Sequence, residues 1–289
     1  MSILIDNKSR ILVQGITGRE GLYHSERMHE YGHNVVAGTS PGRGGDWVLD
    51  GKIPVFDTVR DAIDSTDANT SVIFVPAYYA ADAIMESIDA RVRRIICISE
   101  GIPIRDMMIV RSLLENSDSR LIGPNSPGVL TPGQAKAGII PGNIAIPGNV
   151  GVVSRSGTLT YEVVLALKKA GIGVSSCIGI GGDPILGTNF VDCLDMFEAD
   201  PHTDQIVLIG EIGGNDEELA AEFISNHVTK PVYAYIAGRS APENRRMGHA
   251  GAIIEGKSGS AKSKMEILMR AGVQLFSYPE EISEVIRVA

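Results

Sequence analysis

Two glycine-rich turns carry the residue types of a histidine nucleophile and its carboxylate support. GEIGG, residues 210–214, places Glu211 at the end of an apolar run, and RMGHAG, residues 246–251, places His249 between glycines. A carboxylate that meets an imidazole fixes its tautomer and leaves the other ring nitrogen as nucleophile. From spacing alone, an exposed loop histidine without a chemical role is the more economical interpretation. The remaining histidines are interpreted in that way: His24, His29, His33, His202 and His227.

A hydroxyl-rich turn, SRSGTLT over residues 154–160, follows another apolar run. Ser156 or Thr158 could cap the helix expected after it, and the free backbone N–H groups of a helix start bind anions. A plain helix cap without a ligand is the alternative. Because the motif differs from GxSxG, it does not indicate a hydrolase nucleophile. The candidate phosphate site consists of Ser154, Arg155, Ser156 and Gly157.

The first turn of the chain has the pattern GxxGxxG at Gly15, Gly18 and Gly21. Such glycines let backbone N–H groups approach a pyrophosphate, although a tight turn without a ligand is the alternative. The second apolar run ends at Thr39 rather than at the acidic residue that NAD sites place on the ribose. Arg43 follows in PGRGG, where it is either a solvated charge or a partner for a ribose phosphate. The pattern disfavours NAD and favours an NADP-like or CoA-like 3′-phosphoadenosine.

Strand and helix alternation predicts the elements that position these turns. Short β-branched runs closed by Gly or Pro turns recur along the chain, each followed by a helical stretch. Several runs are almost wholly apolar, which suits parallel strands covered by helices on both faces. The runs begin at Ile11, Asn34, Ser71, Arg94, Arg120, Val150, Val174, Gln205, Pro231 and Val273. Every candidate turn follows a predicted strand, at the edge where parallel sheets bind ligands.

A Pro- and Gly-rich stretch separates these runs into two sets. Residues 123–149 contain PNSPG, TPG and two copies of IPG, and they have no helical periodicity. Such a composition predicts a domain junction. We therefore expect an α/β protein with two doubly wound domains of about five strands each, over residues 1–122 and 150–289.

Composition restricts the class of protein. The 289 residues are 44% hydrophobic and 21% charged, which is typical of globular chains and not of disordered ones. No apolar run reaches the ~18–20 residues of a membrane span, and residues 1–10 lack a signal sequence, so we expect a cytoplasmic protein. The net charge of −9 argues against a nucleic-acid partner. Three cysteines without metal-ligand spacing predict core thiols, with no disulfide framework and no metal: Cys97, Cys177 and Cys193.

Taken together, the motifs resemble the alpha subunit family of succinyl-CoA synthetase over nearly the whole chain. They are GITG, SPGRGG, GPNSPG, SRSGTLTYE, GIGGDP, GEIGG and RMGHAGAI, in the order of that family. The resemblance implies a Rossmann-like domain that binds coenzyme A, followed by a flavodoxin-like ligase domain. It also implies a heterodimer or heterotetramer with a beta subunit, whose ATP-grasp domain binds ATP or GTP with Mg²⁺. Small subunits of malate–CoA ligase and citryl-CoA synthetase are close alternatives.

The resemblance further implies roles for single residues. His249 matches the histidine that becomes phosphorylated, and Glu211 matches the glutamate that supports it. In the implied reaction, His249 takes the γ-phosphoryl group and passes it to succinate, and the CoA thiol then displaces phosphate. With a pKa near the unperturbed ~6.5, His249 would be neutral at pH 7. The residues that match CoA contacts are Thr17, Gly18, Arg19, Glu20, Arg43, Ile98, Ser99 and Glu100, and the expected substrate contacts are Tyr161, Asn125 and Ser126.

Three positions depart from that family. Arg43 stands where many relatives have lysine, which replaces a point donor by a planar fork. Ser126 stands where many have cysteine, and Tyr78 and Tyr79 stand where relatives often continue with Pro-Phe. Two rivals from other classes are a non-catalytic CoA- or NADP-binding regulatory module and an NADP oxidoreductase. The second would need a hydride-acceptor site that the sequence does not offer.

Overall fold

The computed structural model describes residues 3–242, 245–254 and 259–286, which form two largely parallel sheets with helices between the strands. The strands are β1 (Ile11–Gln14), β2 (Val35–Thr39), β3 (Trp47–Val48), β4 (Ile53–Phe56), β5 (Thr70–Ile73), β6 (Arg94–Cys97), β7 (Arg120–Ile122), β8 (Gly128–Thr131), β9 (Ala135–Gly138), β10 (Pro147–Ser154), β11 (Val174–Gly179), β12 (Gln205–Glu211), β13 (Val232–Ala237) and β14 (Gln274–Leu275). The helices are α1 (Arg19–Gly32), α2 (Val59–Thr66), α3 (Ala77–Asp89), α4 (Ile104–Leu114), α5 (Gly157–Lys169), α6 (Phe190–Ala199), α7 (Asp216–His227), α8 (Ala261–Arg270) and α9 (Ile282–Val285).

The first sheet has the strand order of a Rossmann fold. Within the described residues its seven strands run β3-β4-β2-β1-β5-β6-β7, and only β3 is antiparallel to its neighbour. Ile11 of β1 pairs with Val35 on one side and with Thr70 on the other. The strand order therefore reverses at β1, and the turn after β1 lies at the switch point where such sheets bind ligands.

The second sheet contains the flavodoxin strand order and an additional hairpin. Its described strands run β14-β13-β12-β10-β11-β8-β9, and the five that run parallel have the order 2-1-3-4-5. β8 and β9 form an antiparallel hairpin that pairs with β11. The stretch 123–149, predicted as a junction, thus contributes two strands to this sheet. We propose that the domain boundary lies between β7 and β8.

Apolar residues from both sheets form one continuous buried cluster, which includes Val13 of β1 and Ile178 of β11. The predicted core thiols are confirmed, since Cys97, Cys177 and Cys193 are all buried. Burial raises the pKa of Cys97 and of Cys177 to about 12. Among the described residues no helix is long and apolar enough to cross a membrane.

Two of the five histidines expected to be exposed are instead partly buried. His24 stacks on Phe74 with the ring centroids 5.4 Å apart, and His29 packs edge-on against His33. Both belong to α1, which packs against β9. The sequence did not reveal this contact because β9 lies within the predicted junction.

Candidate active site

The strand β12 ends at Glu211, and the carboxylate of Glu211 reaches the imidazole of His249. Nδ1 of His249 lies 2.9 Å from Oε2 and 3.0 Å from Oε1. The Glu211 side chain is 9% exposed and that of His249 is 27% exposed. This hydrogen bond is the main cause that raises the pKa of His249 above 6.5, which corrects the expectation of an unperturbed value. Because Nδ1 carries the hydrogen-bonded proton, the lone pair of Nε2 is left for chemistry.

Arg155 lies behind the Glu211 carboxylate. Its Nε is 3.5 Å from Oε1 of Glu211, and its side chain is only 3% exposed. Nη1 lies 3.9 Å from Asp216 and 4.0 Å from Glu217, and Nε and Nη1 have no hydrogen-bond partner among the described residues. A Cβ placed on Gly251, in the histidine loop, would lie 2.8 Å from Nη2. This buried guanidinium therefore offers donors to an oxyanion beside His249.

The predicted phosphate turn connects β10 to α5. Ser156 caps α5, as predicted, because its hydroxyl accepts the N–H of Leu159 at 3.4 Å. Ser154 is buried, and its hydroxyl accepts the N–H of Ser156 and donates to the carbonyl of Ser156. Ser154 thus shapes the turn, and the donors left free beside it are those of Arg155 and of the backbone around Gly157.

Gly182 and Asp183 complete the surroundings of His249, and the sequence identified neither as a site residue. A Cβ on Gly182 would lie 2.4 Å from Nδ1 of His249, so the imidazole packs directly on this glycine. Asp183 is buried and accepts a hydrogen bond of 3.0 Å from Nδ2 of Asn125. Burial raises the pKa of Asp183, which His249 lowers in part. Two glycines before an acidic residue, in GIGGDP, were the available signal.

We expect Gly182→Ala to separate His249 from Glu211, because the new methyl group would occupy the volume of the imidazole. The pKa of His249 should then fall towards its ordinary value, as measured by NMR titration of the ring Cε1–H. Gly151→Ala is the matched control, since its Cβ would crowd the Phe197 ring at 2.6 Å in the core instead. Each overpacked variant should lose about 1–3 kcal/mol of stability. An unchanged His249 titration in Gly182→Ala would contradict the packing described.

The turn after β1 has the features of a pyrophosphate site at the start of α1. A Cβ on Gly21 would lie 2.1 Å from the carbonyl oxygen of Gly15, so only glycine permits this approach. Gly18 is the N-cap and makes no side-chain cap hydrogen bond, which leaves the first N–H groups of α1 for a ligand. The side chains of Arg19 and Glu20 extend into solvent.

A cleft of about 510 Å³ opens beside this turn. Its lining includes Gln14, Thr39, Ser40, Val75 and Tyr79. A lining of both apolar and polar side chains, next to free helix N–H groups, fits a phosphorylated adenosine ligand such as CoA. In the described part of the chain, no group of three or more His, Cys, Asp or Glu side chains is arranged to hold a metal ion.

The other predicted CoA contacts lie along the same edge of the first sheet. Thr17 Oγ1 is 2.8 Å from Ser40 Oγ, and Ser99 Oγ donates to the Val75 carbonyl at 2.5 Å. Ile98 is partly buried and Glu100 is exposed. Arg43 is exposed and pairs with Asp46, Nε to Oδ2, at 2.5 Å. Tyr78 and Tyr79, which stand where relatives often have Pro-Phe, are both exposed, and Tyr79 lines the cleft.

The three predicted substrate contacts lie in different surroundings. Asn125 is linked to the surroundings of His249 by its hydrogen bond to Asp183. Tyr161 lies on α5 and packs against buried apolar residues, and burial raises its pKa. Ser126 is 2% exposed, donates to the Gly179 carbonyl and accepts the N–H of Gly128. Because both hydrogen-bonding capacities of Ser126 serve the loop, its position does not favour the expected contact with substrate.

Comparison with known proteins identified relatives of the whole chain. Residues 6–101 match the family described as CoA binding domain, and residues 153–273 match the family described as CoA-ligase. The alpha subunit of succinate–CoA ligase [ADP-forming] of Aquifex aeolicus is 54% identical over 99% of this chain and 94% of its own length. Alpha subunit 2 of the same enzyme from Archaeoglobus fulgidus is 51% identical, with 99% of each chain covered.

Solved structures share the fold. ATP citrate lyase of Methanothrix soehngenii, in complex with citrate and coenzyme A, has a TM-score of 0.88 and 26% identity. The match covers 97% of this chain and 49% of that one, so this chain spans about half of the larger enzyme. An acetyl-coenzyme A synthetase of Ca. Korarchaeum cryptofilum, in complex with phosphate and ADP, has a TM-score of 0.76 at 22% identity, covering 96% of this chain and 60% of that one.

Proposed function

The chain belongs to the family of succinate–CoA ligase alpha subunits, and from this premise we propose that it works with a beta subunit to join succinate to CoA. The proposed reaction is reversible and consumes a nucleoside triphosphate. Its covalent intermediate is the chain phosphorylated on His249. One observation carries this proposal: the contact of 2.9 Å between Nδ1 of His249 and Glu211, which prepares Nε2 as the nucleophile.

In the proposed cycle, Nε2 of neutral His249 attacks the γ-phosphorus, and the nucleoside diphosphate leaves. The Nδ1 proton stays on the hydrogen bond to Glu211, whose carboxylate balances the positive charge that develops on the ring. We propose that the nucleotide and Mg²⁺ are held by an ATP-grasp domain of the beta subunit. On this chain, Arg155 and the N–H groups near Gly157 stabilise the phosphoryl oxygens.

The second half of the cycle transfers the phosphoryl group. A carboxylate oxygen of succinate attacks phosphorus, the N–P bond breaks, and an acyl phosphate forms. The sulfur of CoA then attacks the acyl carbon, and phosphate leaves. We propose that the turn at Thr17 to Glu20, together with Arg43 and the segment 98–100, binds CoA, since these residues lie along one edge of the first sheet. The hydrogen-bonded pair of Asn125 and Asp183 would then lie where CoA and His249 meet.

Reconstitution of the chain with its natural partner tests this proposal. The complex is incubated with CoA, Mg-ATP or Mg-GTP and one acid at a time from succinate, malate and citrate, and thioester formation is followed by absorbance. Of the three acids, only succinate should give rapid turnover. Turnover with malate or citrate instead would reassign the substrate, and citrate deserves inclusion because of the structural likeness to ATP citrate lyase. No thioester with any acid would favour the regulatory CoA-binding module.

The pH dependence of phosphorylation should report the contact with Glu211. Glu211 raises the pKa of His249 above its ordinary value of about 6.5. As the pH falls below this raised pKa, the ring becomes protonated and the neutral nucleophile is lost. We expect the single-turnover phosphorylation rate to fall about tenfold per pH unit below that inflection, and Glu211→Gln to move the inflection to lower pH. Because the folded pKa of His249 is the higher one, this contact stabilises the fold at pH values below the unfolded pKa of His249. The contribution is lost as the pH rises through the folded pKa. Coincident inflections in both proteins would contradict the assignment.

A further inference from the structure

A second cleft, of about 410 Å³, lies between α1 and the hairpin strand β9. It shares no lining residue with the cleft beside Ser40. Its lining includes Tyr23, His24, Arg27, Tyr31, Lys136 and Ile139. None of these residues belongs to the proposed machinery around His249.

Lys136 is the unusual member of this lining. Its side chain points from β9 towards α1 and is buried, with the residue only 5% exposed. It has no hydrogen-bond or ion-pair partner among the residues that the structure describes. Burial lowers the pKa of Lys136 to about 8; the positive charge of Arg27 contributes, and the negative charge of Glu30 opposes the shift. A lysine ammonium that faces a cleft without a hydrogen-bonded carboxylate can take a compensating negative charge from outside the chain.

The other charged groups of the cleft already have partners. Arg27 pairs with Glu30 at 2.9 Å and with Glu26 at 3.2 Å. His24 faces Glu20 at 3.8 Å, but burial and the charge of Lys136 lower the pKa of His24, so its ring is mainly neutral at pH 7. Among the described lining residues, Lys136 is therefore the cation without a carboxylate within 4.0 Å, and Glu30, whose charge acts on Lys136 across the cleft, is paired with Arg27.

The remaining lining supplies a further donor and apolar walls. The phenol oxygen of Tyr31 accepts the N–H of Gly133 at 2.9 Å, which leaves its own hydrogen to donate. Tyr23 and Ile139 provide the apolar surface. We propose that this cleft is a binding site for a small oxyanion, a carboxylate or a phosphate, held by the ammonium group of Lys136. The inference does not depend on the proposed ligase activity.

The test uses the complex with the natural partner, in which the lysine side chains carry ¹³C at Cε. The Lys136 resonance is identified by its absence in Lys136→Met. Inorganic phosphate and succinate are titrated separately at constant ionic strength, with chloride as the reference. We expect one of the two anions to shift this resonance saturably and to raise the thermal midpoint as expected for a ligand of the native state. The anion that does so identifies the source of the oxyanion.

Two variants separate this site from binding elsewhere. Lys136→Met should lose most of the thermal shift caused by the anion, whereas Lys169→Met, at an exposed position on α5, should keep it. Affinity should also fall as the pH rises through about 8, because the ammonium loses its proton. An equal thermal shift in all three proteins would overturn the proposal. A response in the free chain that disappears in the complex would do so too, because a partner side chain would then occupy the cleft.

Discussion

His249→Asn is expected to abolish phosphorylation of the chain and to lower thioester formation by on the order of 10⁴-fold or more. Asparagine retains an amide that can donate to Glu211, so the turn between Gly248 and Gly251 should keep its place. It lacks the ring nitrogen that forms the N–P bond, so the phosphoryl group has no acceptor at this position. The measurement is the intact mass of the chain in its complex after incubation with Mg-ATP or Mg-GTP, before and after acid treatment.

His33→Asn is the matched control for this variant. His33 is exposed and lies in the left-handed region with φ 56°, a conformation that asparagine tolerates well. The control should therefore keep the acid-labile phosphate of the wild type. Acid-labile phosphate that persists in His249→Asn would assign the intermediate to another residue. Full thioester formation without any phosphorylated chain would exclude a covalent intermediate on this subunit.

Local pattern was sufficient to predict most of the fold. All ten apolar runs are strands, and their alternation with helices agrees with the two largely parallel sheets. The four strands that were missed have local causes. β3 contains only two residues, and β4 includes a proline. β9 has the sequence AKAG, without a β-branched residue, and β8 lies directly after PNSPG. Their pairing is decided by the neighbouring strands and not by their own propensity.

The candidate site was predictable where residues follow strands and unpredictable where separate loops meet. The turns of Glu211 and His249 indicated that the two side chains could meet, the resemblance to the family favoured that interpretation, and the structure places them in contact. Gly182 was missed because its role is the space it leaves for an imidazole 67 positions later. Such a requirement appears only when two loops are packed together.

A buried chain of ionic contacts supports Glu211 from behind. Glu217 is 0% exposed, and its Oε1 accepts the backbone N–H of Glu211 at 3.0 Å. Its Oε2 contacts Nζ of Lys264, which is equally buried and also donates to the carbonyl of Gly213 at 2.5 Å. Burial raises the pKa of Glu217, and the charges of Lys264 and Arg155 oppose that shift. Lys264 therefore fixes the end of β12, although it lies 53 positions after Glu211 in the sequence.

Removing this lysine should have the largest effect on stability. We expect Lys264→Met to lower the free energy of unfolding by about 3–5 kcal/mol, because Glu217 is left as a buried carboxylate without its lysine. The measurement is urea-induced unfolding at several pH values. Lys262→Met, an exposed position two residues earlier on α8, is the control and should change stability by less than about 0.5 kcal/mol.

The pH dependence distinguishes the loss of an ionic partner from the loss of packing. A carboxylate whose folded pKa lies above the unfolded value makes the fold more stable as pH falls, because the folded state then binds the extra proton. Without Lys264 the pKa of Glu217 should rise further, so the stability deficit of Lys264→Met should shrink on acidification. Adding Glu217→Leu to Lys264→Met should restore part of the stability, since neither charge of the buried pair then remains. A deficit that is constant with pH and deepens in the double variant would mean that Lys264 acts through packing alone.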